Sequence, residues 1–101
     1  MRDYAIVKPQ FWIGETGRRL REAGPEALLV AMYLLTCPNS SMLGLFYLPL
    51  VVIAHETGLP LEGATKGLQR VCEAGFARYD RPSETVWIQE MATYQVAETL
   101  K

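Results

Sequence analysis

The sequence predicts a mainly helical α+β fold: two helices joined by a tight turn, then a two-stranded hairpin and a further helix. Three observations carry this. An apolar segment, Val51 to Ala54, runs into His55-Glu56-Thr57-Gly58, where the glycine can stop a helix in the left-handed conformation. Leu59-Pro60 bars immediate continuation and suits the opening of a second helix, whose apolar positions Leu61, Ala64, Leu68, Val71 and Cys72 recur at helical spacing as far as Gly75. Phe76 to Asp80 and Thr85 to Gln89 then have strand composition, with Arg81-Pro82-Ser83-Glu84 as the turn between them.

The bulk numbers frame this pattern. A chain of 101 residues is one domain, long enough for a modest core without staples, and with half its residues hydrophobic it is not a disordered one. The longest apolar run, around Leu28 to Leu35, is too short to span a bilayer, and the first residues lack a charged segment followed by an apolar one. Cys37 and Cys72 have no metal-ligand spacing and make no framework of bridges, so a reduced, cytoplasmic protein is expected. The net charge is −1 and the pI about 5.8, which counts against tight, autonomous DNA binding because phosphate contacts supply much of that affinity. The distribution is uneven, however. Arg2, Lys8, Arg18, Arg19 and Arg21 outnumber the acids at the N-terminal end, and Lys66, Arg70, Arg78 and Arg81 slightly outnumber them after Leu61.

In chain order, Tyr4 to Lys8 is a short strand or extended arm ended by Pro9, within an N-terminal arm of residues 1–13. Phe11-Trp12-Ile13 is an aromatic-rich anchor for packing that arm onto the domain; the other use of such a cluster is base stacking. Gly14-Glu15-Thr16-Gly17 caps a short helix through Leu20 that Gly24 ends, with Arg18, Arg19 and Arg21 mostly outward as a solvated face or as phosphate contacts. Pro25-Glu26 opens the clearest helix, apolar nearly all round and therefore central to the domain. Cys37 at its end is read as a small apolar filler. Gly44 to Leu48 is a short strand, and Pro49 begins the first helix of the pair.

In the second helix of the pair, Gly63 and Gly67 each cost roughly 1 kcal/mol against alanine, which points to close approach of a packing helix or of a nucleic-acid backbone. Its outward positions include Lys66, to meet a phosphate, and Gln69 and Arg70, with the chemistry to read base edges, although Glu62 near its start repels phosphate. For the hairpin, a four-residue turn pairs Asp80 with Thr85, Tyr79 with Val86, Arg78 with Trp87 and Ala77 with Ile88. Alternation then sends Ala77, Tyr79, Val86 and Ile88 to the core and puts Arg78 over the Trp87 indole on the other face. Trp87 is either covered by a terminal segment or part of a surface for DNA or a partner. Residues 90–101 are expected to form a tail helix, with Met91, Tyr94, Ala97 and Leu100 on one face, that packs back or pairs with a second subunit.

The order of landmarks resembles the N-terminal winged-helix domain of phage replication proteins and DnaD-like replication organisers. The matching stretches are Pro9-Gln10-Phe11-Trp12, Tyr33-Leu34-Leu35-Thr36-Cys37-Pro38, Gly44-Leu45-Phe46-Tyr47-Leu48, Thr57-Gly58-Leu59, Gly75 to Asp80 and Val86-Trp87-Ile88. The resemblance implies helices at 49–75 as the helix-turn-helix and residues 76–89 as the wing, with the 45–48 strand completing a small antiparallel sheet. It also implies a domain that binds DNA, self-associates, or does both.

An enzyme is not expected. His55 is the only histidine, Ser40 and Ser41 have no base at recognisable spacing, and no phosphate-cradling glycine loop occurs. No cofactor or metal is expected either. The leading expectation is a module that binds double-stranded DNA, with Lys66, Gln69 and Arg70 in the major groove, Arg78 and Arg81 on the flanking backbone, and Arg18, Arg19 and Arg21 adding phosphate contacts. The competing expectation is a protein-interaction or dimerisation module that uses Trp87, Met91, Tyr94 and Leu100, as a homodimer through the tail helix or the wing.

Overall fold

Five helices and three strands follow one another in a computed structural model, which describes residues 4–40 and 44–89. The expected tail helix, with Met91, Tyr94 and Leu100, lies outside the described residues. The helices are α1 (Gln10–Ile13), α2 (Glu15–Ala23), α3 (Pro25–Thr36), α4 (Leu50–Thr57) and α5 (Leu61–Glu73). The strands are β1 (Leu45–Tyr47), β2 (Ala77–Asp80) and β3 (Thr85–Ile88).

α3 holds the centre, as its uniform hydropathy requires. Pro25 stands at its start, Glu26 lies in its positive first turn, and Ala27, Val30, Ala31, Leu34 and Leu35 are buried. Against it pack α2 through Leu20, α4 through Ile53, and α5 through Ala64, Leu68 and Val71. α4 ends as the sequence indicates: Gly58 takes φ +82°, and its N–H reaches back to the Ala54 carbonyl (3.0 Å). α5 meets α3 at close range. A Cβ on Gly67 would stand 2.8 Å from the Glu26 carbonyl oxygen and 2.9 Å from Val30 Cγ2, so only glycine admits this spacing. The reason for Gly67 is therefore packing inside the domain and not approach of a ligand.

The sheet is antiparallel, in the order β1-β3-β2. Its β2–β3 register is the one the hairpin turn sets: Ala77 opposite Ile88, Arg78 opposite Trp87, Tyr79 opposite Val86, Asp80 opposite Thr85. Phe46, Ala77, Val86 and Ile88 face the helices, and the Tyr79 hydroxyl donates to the Leu48 carbonyl (2.9 Å). Burying side chains such as Leu34, Ile53, Val86 and Phe76 contributes about 1.5–3 kcal/mol each, as an upper figure.

Four expectations change. Tyr4 to Lys8 forms no strand, so of the two expectations the arm remains, and within residues 1–13 Gln10–Ile13 makes a single helical turn that the sequence does not predict. Of Phe11, Trp12 and Ile13 only Phe11 is buried, edge-on to Phe76 (centroids 6.1 Å apart), because one turn of helix can point only part of its surface at the core. α2 ends at Ala23 before Gly24, as expected, but Gly17 lies inside it against the Phe11 carbonyl and not in a cap. Leu61, expected among the inward positions of α5, is exposed.

Candidate nucleic-acid interface

Lys66, Gln69 and Arg70 lie on one face of α5 because residues three and four apart are neighbours on a helix, and all three are exposed. The opposite face is fixed by Ala64, Gly67, Leu68 and Val71 in the core, so this face cannot rotate away from solvent. Beside it runs the C-terminal half of α2. A shallow open groove results, lined by Arg19, Glu22 and Ala23 from α2 and by Lys66, Gln69, Arg70, Glu73 and Ala74 from α5.

The two walls are tied together. Arg70 Nη1 donates to the Ala23 carbonyl (2.8 Å), one of the acceptors that the end of α2 leaves without a helical partner. That bond orients the Arg70 guanidinium at the groove wall while its other N–H groups remain as donors. Arg19 is half-exposed and lies 3.4 Å (Nε) from Glu15 Oε2, and its Nη1 comes to 4.0 Å from the position a Gly75 Cβ would take. Gln69 donates to Glu73 (3.2 Å). Glu73 also lines a second groove on the far side of α5, with Leu68, Gln69, Cys72, Tyr79 and Arg81. Arg19 and Arg81 thus flank the exposed face of α5 from opposite sides.

Three cations, Arg19, Lys66 and Arg70, meet two carboxylates, Glu22 and Glu73, in the main groove. At this exposure a pair of charges 4 Å apart interacts by about 1 kcal/mol, screened beyond about 8 Å at physiological salt. Any attraction for a polyanion is therefore modest and sensitive to salt.

The other arginines go elsewhere. Arg18 pairs with Glu15 and with Glu22 (2.8 Å), and this pairing holds the Glu15 carboxyl below its ordinary range and pushes the Arg18 pKa up. Arg21 Nη1 donates to the Trp12 carbonyl (2.6 Å) and pins α1 to α2. Neither joins the groove, because successive residues of α2 point about 100° apart around its axis. Arg78 lies on the outer face of the sheet, with its guanidinium 5.7 Å from the centre of the Trp87 ring. With its amide turned to satisfy both neighbours, Gln89 donates to the Gly75 carbonyl (2.9 Å) and accepts from Arg78 Nε (3.2 Å). Trp87 is 48% exposed, so no described residue covers it fully.

Sequence reasoning places Glu73 on the outward face of α5 but misses Glu22 as a member of the groove and the company Trp87 keeps. Glu22 lies three residues beyond Arg19, a spacing that placed it beside the basic face and could have been read. Leu45 and Tyr47 share the outer face of the sheet with Trp87, which the alternation in Gly44 to Leu48 would have indicated once β1 was known to pair with β3.

Elsewhere, burial pushes the Cys37 and Cys72 thiols up, which suits packing and not nucleophilic chemistry. Burial, and then the hydrogen bond its hydroxyl gives Glu56, pushes the Tyr33 phenol up as well. No group of three or more His, Cys, Asp or Glu that could hold a metal occurs among the described residues, and none of their helices is long and apolar enough to cross a membrane. No family model, no curated protein and no solved structure matches this chain.

Proposed function

We propose that the chain is a winged-helix module that binds double-stranded DNA weakly and with strong salt dependence, in a phage-type replication-initiation or regulatory protein. The replication setting follows from the resemblance of Pro9-Gln10-Phe11-Trp12 and the later landmarks to DnaD-like domains. The DNA-binding reading rests on one observation: Lys66, Gln69 and Arg70 share the exposed face of α5, with Arg19 of α2 on one flank and Arg81 on the other. In this reading α5 enters the major groove, Lys66 and Arg19 meet phosphates on one side, and Arg81 meets the backbone on the other. Arg70 holds its wall of the groove and offers its remaining donors to a base edge or phosphate. Glu22 and Glu73 keep the affinity low and prevent tight binding to arbitrary sequence.

Fluorescence anisotropy with a labelled duplex tests this. About three phosphate contacts give a slope of log affinity against log salt near −3, and Lys66→Ala or Arg19→Ala reduces it by about one. Glu73→Gln raises affinity at low salt. Absence of binding at low salt, or a slope that neither alanine variant changes, removes the proposal.

A further inference from the structure

The outer face of the sheet, not used by the DNA reading, carries three large apolar side chains: Leu45 (59% exposed), Tyr47 (58%) and Trp87 (48%). The strand registers place them in two rows. Leu45, Trp87 and Arg78 form one row across β1, β3 and β2; Tyr47, Thr85 and Asp80 form the other. Single exposed apolar residues are ordinary, but three on one small sheet make a contiguous patch. Trp, Tyr and Arg together are also the residue types that dominate protein interfaces.

Charge divides along the same rows. Arg78 gives the first row a positive end. Asp80 gives the second a negative one, and Glu84, which accepts a hydrogen bond from the Tyr47 hydroxyl (3.4 Å), adds a second carboxylate there. Asp80 and Arg78 stand two residues apart on one strand, about 7 Å.

We propose that this face is the contact between two copies of the chain, related by a two-fold axis that lies between the sheets and crosses the strands. Such an axis keeps each strand over its own counterpart and reverses its direction. Arg78 of each copy then faces the partner's Asp80, Leu45 faces the partner's Tyr47, and the two Trp87 indoles fill the middle. A two-fold that runs along the central strand would instead lay β2 over the partner's β1 and set Arg78 against the partner's Leu45, leaving Arg78 and Asp80 without opposite charges across the contact, so the charge pattern selects the first arrangement. A net charge of −1 offers no long-range repulsion between copies. Three strands of three or four residues cover only about 13 by 14 Å, well below the roughly 800 Å² per partner of a standard interface, so the dimer is a weak one.

Sedimentation equilibrium of the full chain from about 10 µM to about 1 mM covers that range. The expected result is a weight-average mass that rises with concentration, an association weakened at least tenfold by Arg78→Asp and by Asp80→Arg separately, and recovery when those two variants are mixed. Mixing restores recovery because each cross-pair then again joins opposite charges. Trp87→Ala touches no turn residue, and it must also weaken association, which keeps the test decisive if Asp80→Arg unfolds the hairpin. A monomer at every concentration overturns the proposal, whether Trp87 fluorescence then reports cover by residues 90–101 or quenching by an added oligonucleotide. A dimer indifferent to Trp87→Ala or to mixing also overturns it. Because none of these positions lines the α2–α5 groove, the outcome is independent of the duplex titration.

Discussion

Replacing Gly67 and Gly63 by alanine, one at a time, separates helix propensity from packing within a single helix. In a free helix, each substitution favours the folded state by about 1 kcal/mol, since glycine has more backbone freedom to lose. At Gly67 the new methyl meets the Glu26 carbonyl oxygen at 2.8 Å, Val30 Cγ2 at 2.9 Å and the Glu26 carbonyl carbon at 3.2 Å. Two of these atoms are backbone of α3, and the third belongs to a β-branched side chain with little choice of rotamer in a helix, so α5 itself has to retreat. Forcing a methyl into a packed core costs about 1–3 kcal/mol, and the upper part of that range applies where nothing can turn aside. The net expectation is a loss of about 1–2 kcal/mol, or a fall in Tm of about 4–8 °C per kcal/mol for a domain of this size. At Gly63 the nearest atom is Glu26 Oε2 at 3.0 Å, the far end of a flexible side chain, and the next are at 3.6 and 3.8 Å. Gly63→Ala is therefore neutral or stabilising by up to about 1 kcal/mol. Urea unfolding of the two variants checks this. If Gly67→Ala is as stable as the wild type, or both variants shift the same way, the account of the α3–α5 contact is wrong.

Two other variants probe the hairpin. Tyr79→Phe removes the hydroxyl that donates to the Leu48 carbonyl (2.9 Å) and ties β2 to the segment before α4. A loss of about 1 kcal/mol in chemical denaturation is expected, and an unchanged midpoint would show that water replaces the bond at no cost. Asp80 accepts from the Ser83 hydroxyl (2.6 Å) and amide (3.1 Å), which holds its carboxyl below the ordinary 3.8. A pKa depressed in the folded state stabilises above the unfolded value, and that stability is lost as pH falls through the folded one. Wild type and Asp80→Asn should therefore differ near neutral pH and converge in acid; parallel stability curves down to about pH 2 would refute this.

Much of the fold was legible because its signals are local. The Gly58 stop, the Pro25 and Pro60 starts, the apolar spacing of α5 and the four-residue turn after Asp80 each act within a few residues, and each element appears where those signals put it. The Arg78–Trp87 contact was equally legible, since strand alternation and turn length leave one register. The basic site was legible only in part. Lys66, Gln69 and Arg70 share a face by helical geometry alone, whereas the three arginines of α2 looked equivalent and are not. Their fates depend on whether a carbonyl of α1, a carboxylate on the same helix or the flank of α5 lies within reach.

The sequence by itself determined α2 to α5 and the three strands, their order, the hairpin register and which face of α5 meets water, because periodicity and turn chemistry are properties of neighbouring residues. Tertiary structure alone decided that Gly67 serves the α3–α5 contact, that Arg19 joins Lys66 and Arg70 while Arg18 and Arg21 do not, and that Leu45 and Tyr47 stand beside Trp87. Each of these depends on the distance between atoms far apart in the chain. That distance is set when α2, α3 and α5 pack around one core and when β1 pairs with β3, and no local pattern encodes it.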